Sequence, residues 1–321
     1  MRGFYSYTYT KYNAKEIPML FTMELEDVLF FREREAYAAL KDERHEKYRG
    51  DEAAYTAAQQ ANLLEQIGSK EDFYAHIEDY EVNGSIDVIE FVPLRHEDVF
   101  RAMQNGTAET GAKRCAMAEG IADGWAVHLR DYGKAVNFAD SLAIAELGTG
   151  AGMGTWAVSS QLRPGNVLIS TDFDPLCIKN ADGIARHLGL SDRVTGLLAN
   201  FWRLPFAAAS LDAVCTHYAL DEAREVPSIL AEIARVLRPG GRFIFTARIN
   251  PWDRQRKFME PFGITSEECN ALLRRARLQC GPAGLIEWAA QAGLTLLRRT
   301  DYAPQGSHAR TILVFEKNQN L

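Results

Sequence analysis

Apolar and polar positions in this chain follow two different rhythms, and the change falls near residue 141. Beyond it, short apolar runs alternate with amphipathic stretches. Strands are predicted over 142–147, 167–171, 194–199, 212–216 and 242–246, and helices after the glycines at 148–154 and over 175–188 and 227–237. Strands separated by helical patterns of about 10–15 residues signal a parallel sheet covered on both faces. Pro239-Gly240-Gly241 reads as a turn that ends a helix and opens the next strand, and Thr265-Ser266-Glu267-Glu268 as a capping box. The last two strands, 294–302 and 310–316, are joined by a polar, Gly-containing loop with no helix between them, so they are predicted to be antiparallel.

Before residue 141 the pattern is mainly helical. Residues 4–10 place tyrosines at every second position, like a short strand. Helical spacing follows over 24–47, with Val28, Phe31, Tyr37 and Leu40 among charges, and over 51–67, closed by Gly68. Shorter helices over 71–80 and 96–104, and one near 108–131, complete this half. No repeat or low-complexity segment interrupts the chain.

Composition narrows the class. Of 321 residues, 47% are hydrophobic and 25% charged, the balance of an ordinary globular protein and not of a disordered, collagenous or disulfide-stapled one. A net charge of −7 is a poor match for gripping a phosphate backbone over a large area. The charge is uneven: residues 1–100 hold 11 Lys+Arg against 21 Asp+Glu, together with nine of the 12 tyrosines. Two compositions predict two parts, a mainly helical cap over 1–105 and a second domain over 106–321. The five cysteines (Cys115, Cys177, Cys215, Cys269 and Cys280) are odd in number and contain no C-x-x-C, which argues against zinc ribbons and disulfide frameworks. Without a signal-like apolar segment or a run of 18 apolar residues, a cytoplasmic, non-membrane protein is expected, and Asn83 and Asn105 then read as turn residues.

The strongest chemical signal is Ala145-Glu146-Leu147-Gly148-Thr149-Gly150-Ala151-Gly152-Met153-Gly154, at the end of the first predicted strand of the sheet. Glycines there let the backbone turn sharply and approach a ligand closely at the carboxyl edge. A dinucleotide fingerprint would need Gly or Ala five positions after Gly148, where Met153 stands. The run Glu146-x-Gly148-x-Gly150-x-Gly152 instead resembles the first motif of class I S-adenosylmethionine-dependent methyltransferases. Ile169-Ser170-Thr171-Asp172-Phe173-Asp174-Pro175, Asn200-Phe201-Trp202-Arg203-Leu204-Pro205-Phe206 with Leu211-Asp212-Ala213-Val214, and Ile233 to Arg242 resemble the family's later motifs in order.

The resemblance covers about residues 110–317. It implies an α/β, doubly wound, mostly parallel seven-stranded sheet in the order 3-2-1-4-5-7-6 with strand 7 antiparallel. It also implies bound S-adenosyl-L-methionine, converted to S-adenosyl-L-homocysteine. By the match, the cofactor residues are Glu146, Gly148, Thr149, Gly150, Gly152, Asp172, Phe173, Asn200, Phe201 and Thr216. Asp172 would take the ribose hydroxyls, Asp174 would cap the next helix, and Asn200 stands where the family has an adenine-contacting Asp.

The acceptor in this family sits beyond the fourth strand, which here reads Cys215-Thr216-His217-Tyr218-Ala219-Leu220-Asp221-Glu222. His217 has the chemistry of a general base, with packing as its alternative role. Tyr218, and less directly Asp221 and Glu222, are candidates for orienting the acceptor, and Arg248 and Asn250 for facing the pocket. No N/D-P-P-Y/F follows strand four, and no double-Glu or T-H-W pattern or Arg/Lys run is present. A small-molecule acceptor is therefore expected, with no nucleic acid, membrane or metal. Two alternatives stay open: a methyltransferase that docks protein or RNA through residues 1–105, and a non-catalytic S-adenosylmethionine-binding protein. The first hundred residues are expected to fold over the cofactor edge as a lid.

Overall fold

The structure, a computed structural model, describes residues 106–139, 142–172, 175–221, 223, 225–252, 260, 263–275, 281–303 and 309–319. The cap and lid expected over 1–105, with their strand and helices, lie outside the described residues, as do Phe173, Asp174 and Glu222.

The chain enters through α1 (Ala108–Ala135), whose N-cap Thr107 accepts a hydrogen bond from the Thr110 amide. The sheet then builds from β1 (Ala143–Leu147), β2 (Val167–Asp172), β3 (Val194–Leu198), β4 (Leu211–His217) and β5 (Leu237–Arg248). Between them run α2 (Met153–Ser159), α3 (Pro175–His187) and α4 (Val226–Val236). After α5 (Ser266–Arg275) and α6 (Pro282–Gln291), β6 (Leu294–Tyr302) and β7 (Arg310–Lys317) close the sheet.

The strand order is β3-β2-β1-β4-β5-β7-β6. β1 to β5 pair in parallel and β7 runs antiparallel to both β5 and β6, so the expected sheet and terminal hairpin are both present. The capping box forms as read: Thr265 N–H donates to Glu268 Oε2 at 2.8 Å and Glu268 N–H to Thr265 Oγ1 at 3.3 Å.

The Pro239-Gly240-Gly241 turn differs in form. α4 already ends at Val236, and the turn becomes an excursion within β5, whose register on β4 jumps between the Leu237 and Arg242 pairings. Gly240 takes the positive φ of 77° that this excursion requires.

Alternation divides the sheet's side chains between two cores. Ala143, Ala145 and Leu147 of β1 join Phe243, Phe245 and Phe315 beside α4 and α6. Ile144 joins Ile244, Ile312 and Val314 beneath Leu129 and Tyr132 of α1. Successive strand residues face opposite sides, so Glu146, Cys215 and His217 fall on the α1 side, near the carboxyl edge.

Candidate active site

The glycine loop between β1 and α2 is fixed by backbone bonds to β2. Gly148 N–H and Thr149 N–H both donate to the Thr171 carbonyl, at 2.8 and 2.9 Å, and Gly152 N–H donates to the Thr149 carbonyl at 2.7 Å. Gly150 N–H donates to Asp172 Oδ2 at 2.8 Å. Gly150 has φ 46°, and a Cβ built there meets no atom of the described residues within 4 Å. The loop therefore turns through a left-handed residue, with open space at its bend among the described residues. Asp172 is buried at the last position of β2, and one of its carboxylate oxygens is engaged by the loop.

Glu146 is fully buried. Its Oε2 accepts from Thr155 Oγ1 at 2.5 Å and from Ser170 Oγ. Thr149 joins this network, its hydroxyl lying 2.7 Å from that of Ser170. The other carboxylate oxygen, Oε1, has no hydrogen-bond partner among the described residues. Burial raises the carboxyl to about 7, the hydroxyl bonds pull the other way, and the Asp172 charge adds to the rise. Gly154 makes room here: a Cβ on it would fall 2.3 Å from Glu146 Oε1 and 3.1 Å from the Cβ of His217. The motif acid and the candidate base are thus neighbours across one helical turn.

His217 ends β4 with its Nε2 sealed from solvent. Its ring lies 4.6 Å from that of Tyr218, 5.3 Å from Tyr132 and 5.4 Å from His128. Burial holds its pKa well below 6.5, and His128, Arg310 and Arg248 push in the same direction. The imidazole is therefore neutral at physiological pH and able to take a proton. Tyr218 has φ 66°, a left-handed conformation that a bulky residue adopts under strain, and Arg248 stacks over its ring with Cζ 4.9 Å from the centroid.

The remaining expected residues divide. Phe201 packs in the core beside the loop, 3.6 Å by its ring edge from where a Cβ of Gly148 would lie. Asn200 uses its Oδ1 to accept the Trp202 N–H at 3.0 Å, so its carbonyl shapes its own turn. Thr216 is fully buried on β4, between Leu147 and Phe245 in register. Asn250 Oδ1 likewise accepts the Trp252 N–H at 3.2 Å.

Sequence reasoning did not find His128, Tyr132 or Arg310. His128 and Tyr132 lie one turn apart on α1, and Arg310 pairs with Arg248 across β5 and β7 and is fully buried. A lone His on a helix carries no local motif, so the i, i+4 spacing of His128 and Tyr132 was the one available signal.

Residues 145–245 match the family described as "Methyltransferase domain". A demethylmenaquinone methyltransferase of Symbiobacterium thermophilum is 28% identical over 134 residues, covering 42% of this chain and 53% of that protein. A dimethylglycine N-methyltransferase of Parasynechococcus marenigrum is 32% identical over 110 residues, covering 34% and 36%. The chain thus spans about half or less of the length of these relatives. Among solved structures, geranyl diphosphate C-methyltransferase from Streptomyces coelicolor A3(2) aligns at 15% identity over 65% of this chain and 84% of that one, with a TM-score of 0.47.

Proposed function

We propose that this chain, which carries a class I S-adenosylmethionine-dependent methyltransferase domain, transfers a methyl group from that cofactor to a small-molecule acceptor at the carboxyl edge of β1 and β4. The observation that carries the reading is the loop at Gly150. Among the described residues its bend is open where a side chain would stand, its N–H is held by the buried Asp172, and the loop follows directly on the buried Glu146 of β1. Those residues suit the cofactor. Asp172, at the tip of β2, offers a carboxylate for ribose hydroxyls, and Glu146 Oε1 is a buried acceptor without a protein donor among the described residues.

When bound, S-adenosylmethionine supplies an electrophilic methyl group on a sulfonium. This chain's residues then position and exclude water. Neutral His217 takes the acceptor's proton, and Tyr218, held in its strained conformation against Arg248, orients the acceptor beside it. His128, Arg310 and Arg248 disfavour a lasting imidazolium, so His217 holds the proton only transiently. Demethylmenaquinone and dimethylglycine, named for two relatives, are both small molecules, which supports the choice of acceptor class.

Two measurements test this. Calorimetry should detect binding of S-adenosylhomocysteine and none of NAD; the reverse result rejects the reading. Incubation of a cell extract with methyl-labelled S-adenosylmethionine should place label in the small-molecule fraction. Label confined to protein or RNA would move the assignment to a macromolecular substrate.

A further inference from the structure

α1 and α3 meet where neither helix has a side chain. A Cβ on Gly111 would fall 1.7 Å from the Gly183 carbonyl oxygen, so the two backbones are in direct contact there. Such a crossing leaves no room for a side chain between the helices, so a shift of one backbone is felt directly by the other. Three residues further along α1 is Arg114, and three residues back along α3 is Asn180, which brings the two together one turn from the crossing.

Both are buried. Arg114 Nε donates to Asn180 Oδ1 at 3.3 Å, and Asn180 Nδ2 donates to the Gly150 carbonyl at 2.7 Å. Burial lowers the guanidinium to about 10, so it remains charged at neutral pH. The opposite end of Gly150 is also held, its N–H donating to Asp172. A trans peptide points its C=O and N–H in opposite directions. Drawing the Gly150 carbonyl toward α3 therefore turns the Ala151 N–H away from α3.

We infer that Arg114 and Asn180 are positioning residues for the cofactor: through one continuous hydrogen-bonded path they set the orientation of the Gly150–Ala151 peptide and so the affinity of the glycine loop for its ligand. The inference rests on the cofactor assignment proposed above. Neither residue belongs to a glycine-loop motif, and each acts through Gly150 and touches no reacting atom.

The full-length Asn180→Asp variant separates positioning from general support. It keeps the acceptor for Arg114, now with a full charge, but loses the donor to Gly150 and sets a carboxylate against that carbonyl. Affinity for S-adenosylhomocysteine by calorimetry should fall roughly fivefold to tenfold, as expected for one lost hydrogen bond. Without ligand, amide hydrogen exchange at residues 150–153 should quicken while the amides of β1 and β4 keep their protection. Wild-type affinity together with wild-type exchange in the loop overturns the inference. If Asn180→Asp does not fold, Arg114→Lys decides by the same two readings, since it keeps the charge but removes the Nε–H donor. Failure of the wild type to bind S-adenosylhomocysteine rejects the cofactor assignment; the exchange measurement, made without ligand, still tests the path.

Discussion

β5 presents Phe243, Phe245 and Ala247 to the layer of α4 and α6, and Ile244, Thr246 and Arg248 to the layer of α1. The first set joins Phe315, Leu313 and Leu285 in a continuous apolar cluster. The second begins apolar at Ile244 but turns polar toward the carboxyl edge, where Thr246 lies 3.4 Å from the His128 ring and Arg248 stacks on Tyr218. The same change occurs along the neighbouring strands, from Ile144 to Glu146, from Ala213 to His217, and, running the other way, from Val314 to Arg310. One side of the sheet thus serves chiefly to hold the strands together. The other gives up apolar contact at one end to hold titratable groups out of water, and burial displaces the protonation of Glu146 and His217 from ordinary values.

Breaking the apolar side should give the largest effect on stability. Phe243 is fully buried and stacked on Phe245 and Phe315, with ring centroids 6.0 and 5.8 Å away. Phe243→Ala should lower unfolding free energy by about 3–5 kcal/mol in urea titrations. A loss under 1 kcal/mol would show that this face is not the main support of the sheet.

On the other side the expected losses are chemical. His217→Gln should lower kcat about a hundredfold, the lower end of what a positioned base contributes, with a much smaller change in the urea midpoint. An unchanged kcat would reduce His217 to a packing residue. The neutral imidazole also predicts that wild-type kcat stays level as pH falls through 6.5 and drops only below it.

Glu146 sharpens the contrast through pH. The folded chain keeps this proton up to about pH 7, whereas an exposed carboxyl loses it near 4.5. The folded state binds more protons in that window, so stability falls as pH rises through it. Glu146→Gln should remove the fall, leaving the variant more stable than wild type by roughly 3 kcal/mol at pH 8 and close to it at pH 4. Parallel stability curves for the two proteins would contradict the assignment. The smallest effect belongs to Arg248→Gln, which removes the cation over Tyr218 and should destabilise by about 0.5–1 kcal/mol in the same urea titrations.

The layout was legible because its signals are local. Alternating apolar runs and helices implied the parallel sheet, the loop after residue 302 implied the hairpin, and Thr265 with Glu268 marked a helix start. The glycine loop was legible for the same reason, since close backbone approach demands glycine at fixed spacing. His217 and Tyr218 could be placed at the edge by following the end of one strand.

What gathers around them could not be read that way. His128 and Tyr132 come from the helix that precedes β1, Arg310 from the last strand, and Arg114 and Asn180 from two helices whose meeting point is set by a pair of glycines. Hydrophobic periodicity tells each segment which face to bury, and so by itself determined the run of strands and helices beyond residue 141, while glycine spacing marked the loop after β1. Which polar groups share a buried site depends on how those faces are stacked and at what height. Only the tertiary structure decides that, because desolvation and hydrogen bonding act between residues far apart in the chain.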